Sequence, residues 1–178
     1  MRKSIQTNYS SWQIFSLTFL RVLIGWHFLY EGLTKLYIPV WTAKPYLEGA
    51  IGPFAPLFKS MAQNESILNI VNIANEWGLI LIGLGLFIGL LSKPCKIFAI
   101  FLLALYYLAY PPFAGLGVNT HVEGSYWIVN KNLIEMAALF VLLLFPSNHI
   151  TGIDRFLFKM NRLKDTEANG NKKANRWR

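Results

Sequence analysis

The sequence predicts an all-α protein, a four-helix transmembrane bundle, and three observations lead to this fold class. The 178 residues are 54% hydrophobic and only 15% charged, whereas a soluble domain carries about 25% charged residues. Four apolar segments are long enough to cross a bilayer, which takes about 20 helical residues. The Lys and Arg residues lie mainly on one side of these segments. This composition excludes a disordered chain and indicates a lipid bilayer as the surroundings.

The four predicted spans occupy residues 14–35, 68–91, 95–112 and 131–149. A tight turn joins the second span to the third, because Pro94 blocks continuation of the helix. The connection over residues 37–66 is the long, aromatic-rich first outer loop, in which we expect short helices at the membrane interface.

Two regions follow from this division of the chain. Residues 1–150 are predicted to form the transmembrane domain. Residues 151–178 are basic, and we expect them to form an amphipathic C-terminal helix on the inner leaflet, followed by a disordered tail.

The distribution of Lys and Arg predicts that both termini are cytoplasmic. In that orientation twelve positive residues lie on the inner side, eight of them in residues 151–178, and four lie on the outer side. Cytoplasmic connections carry the excess of positive charge in membrane proteins. A basic tail on an apolar body marks the inner side of a membrane, so we expect no nucleic-acid partner. The single cysteine, Cys95, excludes an internal disulfide and a c-type haem motif.

Ionisable side chains inside the predicted spans are the main functional signal, because such groups are costly in hydrocarbon. On the first span, His27, Glu31 and Lys35 are spaced four residues apart and lie on one side of the helix. Arg21 lies on the same span, deeper in the membrane. These positions predict a polar stripe that faces the interior of the bundle.

Three carboxylates, one from each of three spans, are predicted to share a level in the outer half of the membrane. With a rise of about 1.5 Å per residue, Glu31, Glu76 and Glu135 lie roughly 20–25 Å above the inner ends of their spans. We therefore predict an outward-facing polar pocket with these carboxylates as its catalytic residues. The predicted substrate-binding residues are Arg21, His27, Lys35, Asn72, Tyr106 and Asn132.

A structural interpretation of the same residues stays open. Glu31 can pair with Lys35 and Glu135 with Lys131, and such pairs stabilise helices without any further role. Against this alternative, apolar contacts hold a bundle together without the desolvation cost of buried ions. A metal site is not predicted, because the Glu-x-x-His pairs of di-iron bundles do not occur in the sequence.

Short motifs distributed from the first predicted span to the fourth carry a family resemblance. They are Leu20-Arg21-Val22-Leu23-Ile24-Gly25, Tyr30-Glu31-Gly32-Leu33-Thr34-Lys35-Leu36, Glu76-Trp77-Gly78, Gly83-Leu84-Gly85, Ser92-Lys93 and Lys131-Asn132-Leu133. In this order and spacing they resemble the DoxX family of small four-helix membrane proteins, which includes the DoxD-type subunit of thiosulfate:quinone oxidoreductase. The resemblance implies a multi-pass protein in the cytoplasmic (inner) membrane of a prokaryote. It also implies a part in passing electrons from a reduced sulfur compound to quinone.

The predicted function is that of a redox-associated membrane subunit whose pocket binds a small polar substrate or a quinone headgroup. The resemblance implies a quinone as cofactor, and neither haem nor metal is predicted. The expected partners are the lipid bilayer and either a second redox subunit or further copies of this chain. The alternative is a non-enzymatic membrane scaffold or assembly factor for a partner protein, so whether the chain is an enzyme stays open.

Overall fold

Six α-helices make up the part of the chain that the computed structural model describes, which is residues 9–113, 126–145 and 151–155. They are α1 (Ser11–Tyr37), α2 (Lys44–Glu48), α3 (Ala55–Gln63), α4 (Glu65–Ile88), α5 (Ser92–Ala109) and α6 (Lys131–Leu144). Within these described ranges there is one isolated β-bridge, between Tyr126 and Val129, and no strand. The predicted all-helical class is confirmed there.

Side chains at the helix starts satisfy backbone N–H groups that have no partner within the helix. Ser10 and Gln13 form a capping box at the start of α1. Asn64 caps α4 and Asn130 caps α6, each by accepting from a backbone N–H of the first turn. At its other end α4 stops at Gly89, whose φ of 71° is left-handed and suits a glycine. The starts of α1, α4 and α6 and the end of α4 are therefore encoded locally.

Three helices are long and apolar enough to cross a membrane: α1 with 27 residues, α4 with 24 and α5 with 18. The 14 residues of α6 extend about 21 Å, which is shorter than a bilayer's hydrocarbon core of about 30 Å. Large apolar side chains such as Phe19, Ile70 and Phe101 are exposed on the helices, as lipid-facing positions require. Several membrane spans are thus confirmed, while the fourth span and the cytoplasmic location of both termini stay predictions.

The helices α1, α4, α5 and α6 form a ring in which each contacts two neighbours. Consecutive members run in opposite directions, so the ring has two ends. The end of the ring next to α2 and α3 is called the α2–α3 end. The opposite end, which contains the turn between α4 and α5, is called the turn end. The apolar core contains side chains from all four helices, including Phe28, Leu86, Leu103 and Leu139.

α1 and α4 pack backbone against backbone at glycines. A Cβ atom added at Gly25 would lie 2.6 Å from the backbone nitrogen of Phe87. One added at Gly83 would overlap the backbone of Leu29. Small residues let membrane helices approach this closely, so these glycines fix the distance between α1 and α4.

The two short helices lie in the connection where the sequence predicts short helices. They build a second apolar cluster, in which Leu47 of α2, Phe58 of α3 and Ala109 of α5 are buried. The backbone N–H groups of Ile51 and Gly52 donate to the carbonyl of Ala109. These contacts tie the connection to the end of α5 and position α2 as a wall.

At the turn end, residues 151–155 pack against the start of α5. The Asp154 carboxylate accepts hydrogen bonds from the backbone nitrogens of Leu91 and Ser92, at 2.8 and 3.1 Å. The Arg21 guanidinium donates to the carbonyl oxygen of Thr151 at 2.6 Å. Arg21 and Asp154 are both buried. Only these five residues of the predicted C-terminal segment are described, and the rest of the predicted amphipathic helix and tail lies outside the described residues.

The same substitution at two glycines of α4 tests the close α1–α4 contact. We expect Gly83→Ala to destabilise the protein by about 1–3 kcal/mol, because the methyl group has no room against α1. A Cβ atom at Gly78 meets no atom within 4 Å, so Gly78→Ala should be neutral or stabilising by up to about 1 kcal/mol. Unfolding in detergent micelles measures both changes. Equal effects of the two substitutions would contradict the contact.

Candidate functional site

A cavity of about 430 Å³ lies at the α2–α3 end of the ring. Four ionisable side chains line it, namely His27, Glu31 and Lys35 of α1 and Lys131 of α6. The other lining residues are Phe28, Trp41, Thr42, Ala43, Pro45, Tyr46, Asn75, Leu79, Leu103, Tyr106 and Asn132. We call this volume the polar cavity. Of the predicted site residues, it brings together His27, Glu31, Lys35, Tyr106 and Asn132.

Glu31 and Lys35 form an ion pair one helical turn apart, as their spacing allows. The Lys35 ammonium donates to Glu31 Oε2 at 2.9 Å and to the Glu31 carbonyl oxygen at 3.3 Å. The same ammonium lies 5.6 Å from the centroid of the Trp41 ring, within reach of a cation–π interaction. Lys35 is therefore held at the cavity by two different side chains.

His27 and Glu135 connect α1 to α6. The imidazole Nδ1 lies 2.9 Å from Glu135 Oε1, and it is the donor when the carboxylate is ionised. The Glu135 side chain is only 12% exposed, against 43% for His27. Within the described residues Glu135 thus pairs with His27 rather than with Lys131. The arrangement places one carboxylate behind the cavity and its imidazole partner in the lining.

Asn72 holds the wall of the cavity in place. Its side-chain oxygen accepts from the backbone nitrogen of Ala43 at 2.8 Å, and its amide nitrogen donates to Thr42 Oγ1 at 3.4 Å. Both partners line the cavity, whereas Asn72 does not. The observed contacts of Asn72 are with the segment before α2, and its predicted role in binding substrate stays a prediction.

Three tyrosines and one asparagine form a hydrogen-bonded group beside the cavity. The Tyr106 hydroxyl donates to Asn75 Oδ1 at 3.1 Å, and the Tyr110 hydroxyl donates to the carbonyl of Tyr46 at 2.7 Å. The rings of Tyr46 and Tyr106 pack edge to face, with centroids 5.8 Å apart. Burial raises the pKa of Tyr46 above its ordinary value.

Glu76 and Arg21 do not line the polar cavity. Glu76 is half-buried on α4, and no hydrogen bond or ion pair joins its carboxylate to another described residue. Arg21 lies six residues before His27 on α1, which is about 9 Å nearer the turn end. There it binds the carbonyl of Thr151. Their predicted roles in catalysis and substrate binding stay predictions.

Asn75 is a lining residue that the sequence analysis does not single out. It follows Asn72 by three residues, in a part of α4 that also contains Asn69 and Glu76. Residues three apart lie on neighbouring positions of one helix face, so this spacing is the signal that could have found it. Trp41 and Tyr46 line the cavity because of the path that the 37–66 connection takes. The periodicity of the sequence does not reveal that path.

No group of three His, Cys, Asp or Glu side chains in the described ranges is close enough to hold a metal ion. The cavity instead offers hydrogen-bond donors from lysine, tyrosine and asparagine side chains, beside aromatic and aliphatic walls. Such a lining suits a small polar or ring-shaped molecule that accepts hydrogen bonds.

Comparison with known families gives one match. The sequence profile of the family described as DoxX matches residues 16–111, which is more than half of the chain. The match covers most of α1 and all of α2 to α5, and it includes His27, Glu31 and Lys35 of the polar cavity. Searches of curated proteins and of solved structures gave no match.

A double-mutant cycle tests the contact between α1 and α6. We expect His27→Ala and Glu135→Ala to show a coupling of about 0.5–3 kcal/mol in unfolding free energy, because each removes the other's partner. His27→Ala combined with Glu48→Ala is the control, since Glu48 is exposed on α2 and should add independently. Additive effects for the first pair would show that the two side chains do not interact.

Proposed function

This chain belongs to the DoxX family, and on that premise we propose that it is a redox-associated membrane subunit whose polar cavity binds a quinone headgroup or another small polar substrate. The observation that carries the proposal is the cavity itself. Four ionisable residues line a volume of about 430 Å³ at one end of apolar, membrane-spanning helices. Polar groups in such surroundings are costly, and their default interpretation is functional.

The proposed topology has four spans, with α6 as the fourth and both termini in the cytoplasm. The charge distribution supports it, because the sequence after residue 150 is basic and Lys93 lies at the turn end. In this orientation the polar cavity opens to the outside of the cytoplasmic membrane. A substrate from that side enters past α2, and a quinone enters from the bilayer.

In the proposed binding mode, donors of the cavity face the carbonyl oxygens of the headgroup. Lys35 and Asn132 donate hydrogen bonds, and the ring of Tyr106 packs against the ring of the quinone. Reduction of a quinone to a quinol takes up two electrons and two protons. Glu31 lines the cavity and is suited to hand over protons, and His27 with Glu135 forms a second proton-carrying pair. The electrons come from a reduced substrate or a second redox subunit.

A second candidate function is that of a non-enzymatic scaffold or assembly factor. The observation that favours it is the pairing of the ionisable groups, Glu31 with Lys35 and His27 with Glu135. The His27–Glu135 pair joins α1 to α6 and the Glu31–Lys35 pair stabilises α1 itself, and neither contact requires any chemistry. A protein that copurifies with the chain, together with no binding of quinone headgroups, would favour the scaffold over the redox subunit.

A lysine substitution tests the binding of the headgroup. We expect Lys35→Gln to weaken the binding of a tailless benzoquinone headgroup to the purified protein about tenfold, because a hydrogen bond from a charged donor is lost. Lys59→Gln is the matched control, since Lys59 is exposed on α3 and does not line the cavity. Titration calorimetry measures both affinities. Equal affinities of the two variants would remove Lys35 from the site.

Quinone reduction in membranes tests the roles of the carboxylates. We expect Glu31→Gln and Glu76→Gln each to lower the rate about a hundredfold, because an amide cannot transfer the proton. Glu65→Gln is the control, since Glu65 is exposed in the first turn of α4. An unchanged rate with Glu76→Gln would exclude Glu76 from the mechanism and leave proton transfer to the residues of the polar cavity.

A further inference from the structure

Lys131 lines the polar cavity and forms no ion pair in the described part of the chain. Five ionisable groups lie at this cavity or directly behind its lining, and four of them are bound in two pairs. Glu31 binds Lys35, and Glu135 binds His27. No hydrogen bond or ion pair joins the Lys131 ammonium to another described residue. Its charge is therefore available to a ligand.

The availability of Lys131 does not depend on the protonation state of His27. When the imidazole is charged, both pairs are neutral and Lys131 carries the one charge in excess. When the imidazole is neutral, the charges of the five groups sum to zero. The carboxylate in excess is then Glu135, which lies behind the lining and accepts the His27 N–H. In either state, no described carboxylate lies within ion-pair distance of Lys131.

The start of α6 provides further hydrogen-bond donors beside this lysine. Lys131 and Asn132 are its first two residues, and both line the polar cavity. Their backbone N–H groups have no partner within the helix, because the Asn130 side chain caps the next one, that of Leu133. The side-chain amide of Asn132 forms no hydrogen bond with another described residue. Together with the positive end of the helix dipole, these donors favour an anion next to Lys131.

The remaining walls of the polar cavity suit a carbon skeleton. Most of them are aromatic or aliphatic, namely Phe28, Trp41, Ala43, Pro45, Tyr46, Leu79, Leu103 and Tyr106. The volume of about 430 Å³ lies in the range of sites for small organic ligands. A bare inorganic anion at Lys131 would leave these walls without a contact. An apolar group packed against them would add binding free energy.

The polar cavity also adjoins a second volume, of about 700 Å³, which runs along α4 and α5. We call it the apolar groove, because its lining includes no Asp, Glu, Lys, Arg or His side chain among the described residues. Ala43, Tyr46, Asn75 and Tyr106 line both volumes. The ionisable groups of the cavity thus come from α1 and α6, and its boundary with an apolar space comes from other elements. This arrangement matches a ligand with one charged end and one apolar end.

Glu31 favours a ligand with a single negative charge. Its carboxylate lines the same cavity and binds Lys35. A second anionic group on the ligand would meet this carboxylate, and the described lining offers no second unpaired cation to offset the repulsion. The side chains of His27 and Glu31 are 43% and 45% exposed, so a water-soluble ligand can reach the cavity.

We infer that the polar cavity binds a small organic acid that has one carboxylate on an apolar ring. The carboxylate lies at the start of α6, where Lys131 and Asn132 donate hydrogen bonds to it. The ring packs against the aromatic and aliphatic walls, toward the apolar groove. The inference rests on the proposed function, because it takes the polar cavity as the site and names the chemical class of its small polar substrate.

Removing the charge from the ligand and from the lysine in turn tests the inference. The probes are benzoate and its neutral isostere benzamide, titrated by calorimetry against the full-length protein in micelles of an uncharged detergent at constant ionic strength. We expect the wild type to bind benzoate about tenfold more tightly, because a hydrogen bond between charged groups is stronger than a neutral one. Lys131→Gln should remove this preference and leave the affinity for benzamide unchanged, whereas Lys131→Arg should retain the preference.

The matched control is Lys59→Gln, since Lys59 is exposed on α3 and does not line the polar cavity. It should retain the wild-type preference. Acetate and sulfate test the ring, and each should bind at least about tenfold more weakly than benzoate because neither fills the apolar walls. The inference is overturned by equal affinities for benzoate and benzamide, by an equal loss with Lys131→Gln and Lys59→Gln, or by acetate or sulfate binding as tightly as benzoate.

The inference and the proposed function fail in different ways. Suppose that Lys131→Gln removes the preference for benzoate, while Lys35→Gln leaves the affinity for the benzoquinone headgroup unchanged and membranes show no quinone reduction. The organic acid site then stands, and the redox role is wrong. Suppose instead that the wild type does not prefer benzoate, while Lys35→Gln weakens the binding of the headgroup. The proposed function then stands with a neutral ligand, and the inference is wrong.

Discussion

The close contact between α1 and α4 determines where the rest of the structure lies. Gly25 and Gly83 let the two backbones meet, and this contact fixes the rotation of α1 about its axis. With one face of α1 committed to α4, the side chains of His27, Glu31 and Lys35 take up the adjoining directions, toward α6 and the polar cavity. The position of the candidate site is thus a consequence of helix packing, because a rotated α1 would expose these groups to lipid.

Both ends of the ring are closed by segments outside the long helices. At the turn end, Asp154 accepts hydrogen bonds from the first N–H groups of α5, an end that has no side-chain cap of its own. At the α2–α3 end, Asn72 binds the backbone before α2 and makes it a wall of the cavity. At both ends, side chains that are distant in sequence bind backbone N–H groups that a local cap would otherwise satisfy. The polar cavity therefore depends on the connection between α1 and α4 as well as on the long helices.

Two volumes of opposite polarity meet at Tyr46, Asn75 and Tyr106. Such a boundary is unusual within a membrane-spanning region, because polar atoms there must find partners inside the protein. The hydroxyl of Tyr106 donates to the side-chain oxygen of Asn75. This hydrogen bond lies where the polar space adjoins the apolar one.

The amino-acid sequence alone determined the helical class, the spans over α1, α4 and α5, and the four-residue spacing that brings Glu31 to Lys35, because helical periodicity and hydropathy are local properties. It also placed Tyr106 and Asn132 among the candidate residues. Only the tertiary structure decided that Glu135 pairs with His27 and that Asn75 lines the cavity. Those outcomes depend on how each helix is rotated and on the path of the 37–66 connection, which non-local packing fixes and no single segment encodes.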